Sequence, residues 1–437
     1  MRTHLLGFLL ILATTDAALA QDDVAEPTGD IGLVEVAEGE RVSLDEIRRF
    51  VAVFRAVKQA YVDPVDDATL MQSAIRGLLA DLDPHSSYLD SDANKGLTEF
   101  SSGAYDGLGL EVAQRPDRTL IVVAPIDETP AARAGIRSGD VITEIDGEQI
   151  TASNVDAAVE SLRGEPGSEI RLVLVREGEA EPLAMTLVRE TIRVGSVRTS
   201  LLAPGFGYLR ISHFQSDTGR ETATKLATIN TKAAPLKGLV LDLRSNPGGL
   251  LNAAIEAADV FLDGGTIVST RGRLPYSNSA FRAKRGDALK GAPIIILADS
   301  GTASAAEVLA GALQDHRRAL IMGSSSFGKG SVQTVLPLDN GDALKLTTAR
   351  YFTPNDRSIQ ASGLVPDIRV ADDEVVRNPS GNRTPELRER DLPGHLSAGE
   401  TGVDASETSE PPINDLVLRE ALTLLKGLAL FGDKKAG

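Results

Sequence analysis

The amino-acid sequence predicts an α/β protein: a mainly parallel sheet with crossover helices, preceded by a β-rich module and flanked at both ends by helical segments. Three observations carry this. Between 196 and 370 the apolar runs Phe206 to Ile211, Gly238 to Leu243, Pro293 to Ala298 and Ala319 to Gly323 alternate with helical stretches near 217–229, 250–262 and 304–316. That order builds a parallel sheet. From Gly103 to about Thr191 the texture changes to short strand-like runs separated by turns, and near both ends apolar residues recur at helical spacing.

Taken in order, the first twenty residues read as an export signal. Arg2 gives a basic start, Leu5 to Ala13 is apolar, and Ala18-Leu19-Ala20 places small residues where a signal peptidase cuts. An apolar run of about nine residues is too short to span a bilayer. Cleavage after Ala20 and a periplasmic mature chain without a membrane segment are expected. Residues 21–42 are acidic. Residues 43–92 form a helical region: Ser43-Leu44-Asp45-Glu46 is a capping box, followed by Leu44, Ile47, Val51, Phe54, Val57 and Tyr61 on one face. A second helix carries Leu70, Ala74, Leu78 and Leu82 and stops at Asp83-Pro84.

Residues 103–191 suit one small β-rich domain. Leu120 to Ala124 and Ile170 to Val175 are strands, Val141 to Ile145 leads into the turn Asp146-Gly147, and Asn154 to Leu162 is helical. Within the block 196–370, Ser331 to Leu338 and Ala343 to Phe352 are expected as an antiparallel extension of the sheet. Residues 371–412 read as an acidic linker rich in Pro and Ser. The segment 413–431 is a helix apolar on most sides, which must dock on the body or on a partner subunit.

Composition narrows the function. The 437 residues suit two or three domains, and 42% apolar and 24% charged residues are ordinary for a globular chain. A formal charge of −17 and only 4% aromatics without Trp disfavour nucleic acid as a partner. The absence of Cys excludes disulfides, thiolate metal sites and a Cys nucleophile. The five histidines show no zinc-site spacing. No metal or organic cofactor is expected.

Three segments can carry chemistry, and a fourth can bind a peptide. Asp299-Ser300-Gly301-Thr302-Ala303-Ser304-Ala305-Ala306-Glu307 leads from an apolar strand into a helix. Ser304 then stands where helix N–H groups point outward, able to attack a carbonyl while those groups bind the oxyanion. The plainer alternative is a serine N-cap. His316 lies about three turns along the same helix, ~18 Å from Ser304, too far to be its base. Lys329, in Ser326-Phe327-Gly328-Lys329-Gly330, suits the task better: a lysine shielded from water has a lowered pKa and takes a proton as the neutral amine. Gln333 can hydrogen-bond that amine without adding charge. The plainer alternative for Lys329 is a surface lysine in a turn. Leu241 to Gly249 ends a buried strand in the Gly248-Gly249 turn, presenting bare N–H groups at the sheet's C-terminal edge. A tight strand-to-helix turn or a phosphate site are the alternatives, but nucleotide-binding spacing is missing. In the β-rich module, Gly107-Leu108-Gly109-Leu110 enters a strand with exposed N–H groups that can hold a peptide's terminal carboxylate.

Together these segments resemble the carboxyl-terminal processing peptidases, or tail-specific proteases, over roughly Ser43 to Asp367. Asp83-Pro84-His85-Ser86-Ser87-Tyr88 is similar to the motif that closes the family's N-terminal helical region. Gly107 to Leu110, Pro130 to Ile136 and Gly139-Asp140 are similar to its PDZ domain. Ala349 to Pro354 and Gly363 to Asp367 are similar to later core motifs. The resemblance implies a crotonase/Clp-protease-like α/β core with an inserted PDZ domain. Ser304 falls on the nucleophile, Lys329 on the general base and Gln333 on the residue orienting it. Ala305 and a glycine of the Gly248-Gly249 turn fall on the oxyanion hole. The nucleophile motif departs from the family at Thr302 and Ala306, where serine is usual. The implied activity is a serine endopeptidase that captures unstructured apolar C-termini through the PDZ domain. Arg133 is a candidate contact for PDZ gating, and the N- and C-terminal helices suggest a dimer or higher oligomer, with an adaptor or activator as a further partner. Two rival readings are a catalytically silent or partner-gated PDZ tail-binding regulator and a crotonase-type acyl-CoA enzyme, the latter disfavoured by the export signal.

Overall fold

The computed structural model describes residues 42–115, 118–370, 390 and 416–432. The expected signal, the acidic segment after it and the expected linker 371–412 lie outside the described residues, apart from residues 42 and 390.

The helix Leu44–Ala60 opens with the Glu46 N–H donating to Ser43 Oγ at 3.2 Å, one half of the anticipated capping box. It has no buried residue. A second helix, Asp67–Ala80, begins three residues before its first apolar position because Asp66 caps it, accepting the Thr69 N–H at 2.9 Å.

The peptidase-like block is built on a six-stranded sheet in the order Val197–Ala203, Phe206–Ile211, Gly238–Asp242, Ile294–Ala298, Ala319–Gly323 and Ile368–Arg369. Only the first pair is antiparallel. The central strands are buried on both faces, so they read as continuous apolar runs. Their alternation serves two layers. Leu239, Leu241, Ile294 and Ile296 pack with Ala253, Ala257, Leu309 and Leu313 from the helices Leu251–Asp259 and Ala305–Asp315. Val240, Ile295 and Leu297 point the other way, onto Val417, Ala421 and Leu425 of the helix Leu416–Gly432. The C-terminal helix therefore docks on its own chain.

Ser331–Pro337 and Ala343–Phe352 pair antiparallel, but they do not extend the parallel sheet. They belong to a second sheet with Ser87–Leu89, Gly265–Gly272 and Ser279–Ala283. The β-rich domain is a separate antiparallel sheet, Leu110–Gln114, Leu120–Pro125, Val141–Ile145, Glu169–Val175 and Leu183–Val188, with its own core around Leu120, Val122, Ile142, Leu172 and Leu174. A two-stranded ribbon, Ala104–Gly107 against Glu190–Arg193, carries the chain into and out of it. No helix among the described residues is long and apolar enough to cross a membrane.

Leu425 is fully buried between the C-terminal helix and the sheet. Leu425→Ala is expected to lower the unfolding free energy by about 2–5 kcal/mol, read as an earlier midpoint in urea.

Candidate active site

Three loops at the C-terminal edge of the parallel sheet meet around Ser304. The strand Gly238–Asp242 runs into 243–249, Ile294–Ala298 into 299–304, and Ala319–Gly323 into 324–330. Small side chains let them approach and hydrogen bonds lock them. Thr302 Oγ1 donates to the Leu243 carbonyl at 2.9 Å, the Ala303 N–H to the Asn246 carbonyl at 2.9 Å, and the Phe327 N–H to the Thr302 carbonyl at 3.0 Å. Asp299 bridges two of the loops, accepting from the N–H groups of Ser245 at 2.7 Å and Gly301 at 3.0 Å.

Ser304 precedes the helix Ala305–Asp315 with φ 55° and ψ −117°. A side chain rarely adopts that backbone, and the strain persists because the surroundings over-determine it. A Cβ on Gly248 would lie 2.8 Å from Ser304 Cβ and 3.0 Å from the Ala305 nitrogen, so glycine is required for this loop to touch the serine.

Gly248 cannot serve as the donor assigned to it. Its N–H is spent on Asn246 Oδ1 at 2.9 Å, and fully buried Asn246 is anchored in turn through Nδ2 to the Ile211 carbonyl at 2.9 Å. The N–H groups of Gly249 and Ala305 donate no hydrogen bond among the described residues. Phe214 clamps the glycine turn from behind: its N–H donates to the Gly248 carbonyl at 2.8 Å, and its carbonyl accepts the Leu250 N–H at 2.7 Å.

Glu307, one turn into the helix, carries no role in the sequence reading and proves central to the geometry. Its side chain is fully buried. Oε2 accepts the N–H groups of Ser304 at 2.7 Å and Lys329 at 2.9 Å; Oε1 accepts Ser326 Oγ at 2.5 Å and the Gly328 N–H at 2.8 Å. Burial pushes its pKa up to about 7, against the pull of these four donors. The available signal was the Ser-x-x-Glu spacing of a capping box from Ser304 to Glu307. What the spacing does not show is that the same carboxylate reaches across to the lysine loop.

Lys329 is partly buried, and its carbonyl accepts a hydrogen bond from the Tyr351 hydroxyl. Gln333 sits on the adjoining strand with its Nε2 donating to Ser331 Oγ at 3.0 Å. Thus Ser304, Gly248, Gly249, Ala305 and Lys329 come from three converging loops, while Gln333 comes from the second sheet. His316 ends its helix, its Nε2 bonded to the Thr266 carbonyl at 2.7 Å, and His213 stacks on Phe100 with ring centroids 5.1 Å apart. Among the described residues no group of three or more His, Asp or Glu side chains is placed to hold a metal ion.

Gly107 to Leu110 turns from the ribbon into the strand Leu110–Gln114, which forms one edge of the β-rich sheet. Gly109 takes φ 76°, and its carbonyl accepts the Ile126 N–H at 2.9 Å. Arg133 pairs with Glu190 of the ribbon at 2.5 Å.

Comparison with known proteins covers the same segments. The family description "Peptidase family S41" matches residues 205–370, "PDZ domain" residues 121–176, and "Activating protease CtpB N-terminal domain" residues 17–93. A carboxy-terminal-processing protease of Bartonella bacilliformis is 43% identical over 394 residues, 89% of this chain and 90% of that one. The carboxy-terminal processing protease CtpA of Bacillus subtilis is 32% identical over 72% of this chain and 67% of its own. A solved photosystem II D1 C-terminal processing protease is 31% identical, covering 76% of this chain and 94% of that one with a TM-score of 0.43. An α/β core whose loops converge on Ser304, a β-rich domain entered by a ribbon, and this identity over nearly the full length of a relative lead to one conclusion: the chain belongs to the carboxy-terminal processing proteases, serine peptidases of family S41 with a PDZ domain.

Proposed function

We propose that the chain is an exported, periplasmic endopeptidase that takes hold of unstructured apolar C-terminal tails through its PDZ domain and cleaves them with a Ser304–Lys329 dyad. The observation that carries this reading is the Glu307 carboxylate, which binds the backbone N–H groups of both Ser304 and Lys329 and so fixes one against the other. As the neutral amine, Lys329 takes the Ser304 hydroxyl proton while Oγ attacks the scissile carbonyl carbon. The N–H groups of Gly249 and Ala305 receive the oxyanion. The Lys329 ammonium then protonates the leaving amine, and water, deprotonated by the same amine, releases the acyl group from Ser304. Gln333 orients the lysine. No step calls for a metal or an organic cofactor.

The PDZ edge strand Leu110–Gln114 supports tail capture, because an extended peptide adds to an open edge while Gly107 to Leu110 offer N–H groups to its carboxylate. Export rests on the sequence of residues 1–20. Self-association is supported by the helix Leu44–Ala60, which has no buried residue. The C-terminal helix lends it less, since Val417, Ala421 and Leu425 are spent on the chain's own sheet.

The reading is tested by digesting an unfolded reporter with an apolar tail in a chelator-containing buffer. Wild type is expected to cleave it, whereas Ser304→Ala and Lys329→Ala, both folded by circular dichroism, do not. Equal cleavage by Ser304→Ala would mean a different nucleophile.

Glu307→Gln replaces one acceptor oxygen by an NH2 facing two donors, so a fall in kcat of roughly ten- to a hundredfold is expected. The same variant checks the titration. The folded-state pKa of Glu307 lies above the ordinary value of 4.5. The native state therefore holds this proton longer than the unfolded chain, and the stability it lends below about pH 4.5 is lost as pH rises towards about 7. Urea unfolding at pH 5 and pH 8 should show that loss in wild type, with Glu307→Gln lacking this share of it.

A further inference from the structure

The segment Asp83 to Ser86, left without a part in the reaction, reaches the site through the second sheet. Asp83 is 5% exposed. Its Oδ1 accepts the N–H groups of His85 at 2.8 Å and Ser86 at 2.9 Å and the Thr347 hydroxyl at 3.1 Å, and its Oδ2 accepts the Ser86 hydroxyl at 2.7 Å. Ser86 Oγ in turn accepts the Thr347 N–H at 3.1 Å. Burial pushes the Asp83 pKa up, but the Ser86 hydroxyl and the other donors outweigh it and hold the carboxyl below its ordinary value.

A threonine hydroxyl has one proton, and an ionised carboxylate only accepts. Thr347 therefore gives its proton to Asp83 and can only accept from Gln333, its Cα partner on the neighbouring strand. Gln333 Nε2 lies 3.4 Å from Thr347 Oγ1 and 3.0 Å from Ser331 Oγ. A β-bulge between Val332 and Gln333 re-aims the side chain at this point. With the NH2 end so committed, Oε1 is the end left to accept a proton from an amine. The reversed amide would offer donors to that amine and compete for the lone pair that must take the serine proton.

We infer that Asp83 is a positioning residue for peptide hydrolysis: through Thr347 it sets the amide orientation of Gln333, which then presents its carbonyl oxygen to Lys329. This rests on the reading of Lys329 as a base oriented by Gln333.

The test compares the full chain with T347V, T347S, Q333A and the T347V/Q333A pair on the apolar-tailed reporter. T347V is expected to lower kcat about tenfold with KM within about twofold, and T347S to restore it. In the Q333A background T347V should have no further effect, since the two act through one contact. If T347V does not fold, T347A takes its place in the same cycle, because alanine also removes the hydroxyl that links Asp83 to Gln333. A T347V enzyme as fast as wild type beside a slow Q333A, or effects that multiply in the double variant, would overturn the inference alone. A Q333A enzyme as fast as wild type would overturn the part given to Gln333 and this inference with it.

Discussion

The candidate site depends on one buried carboxylate. Glu307 has no access to water, yet all four of its hydrogen-bonding positions are filled, two by the backbone N–H groups of Ser304 and Lys329 and two by Ser326 and Gly328. An unpaired charge there would cost several kcal/mol, so the surrounding loops have a single favourable arrangement and the left-handed backbone at Ser304 is held within it. A glutamine amide of the same shape, with its NH2 turned towards two of them, cannot satisfy four donors. The carboxylate thus orders two loops without itself meeting a substrate.

Around that knot the layers divide the work. The helices on one face of the parallel sheet fill its core, and the C-terminal helix seals the other face. The second sheet pairs Gln333 with Thr347, and Thr347 joins that sheet to Asp83 from the N-terminal region. Residues far apart in the chain are in this way fastened together by polar contacts.

Much of this was legible in the sequence because the parallel strands are buried on both faces. Leu239 to Leu241 and Ile294 to Leu297 are unbroken apolar runs for that reason. The loops that carry Ser304, Lys329 and the glycine turn were legible as strand-end turns because runs of small residues there have few other uses. Three things were not. Ser87–Leu89 is too short to show a period, and its partner Ala343–Phe352 lies at the far end of the chain. The helix Ser91–Ser102 has little apolar face to betray it. Glu307 looks like any first-turn acid, since its burial is created by loops from elsewhere. The same tertiary blindness assigned Gly248 a free N–H, when the Asn246 side chain, two residues away, takes it.

The ribbon that carries the PDZ domain has a consequence for how the protein is made. Ala104 and Arg193 are direct partners across its two strands, so the domain between them begins and ends at one point. A ribosome completes that domain's own core, Leu108 through Leu187, before it has added any strand of the parallel sheet, whose first strand starts at Val197. The contact between Asp83 and the second sheet comes later still, because Asp83 must wait for Thr347 to emerge. The nascent chain thus holds a finished PDZ domain before it holds the parallel sheet, and the strand Ala343–Phe352 that pairs with Gln333 follows later still.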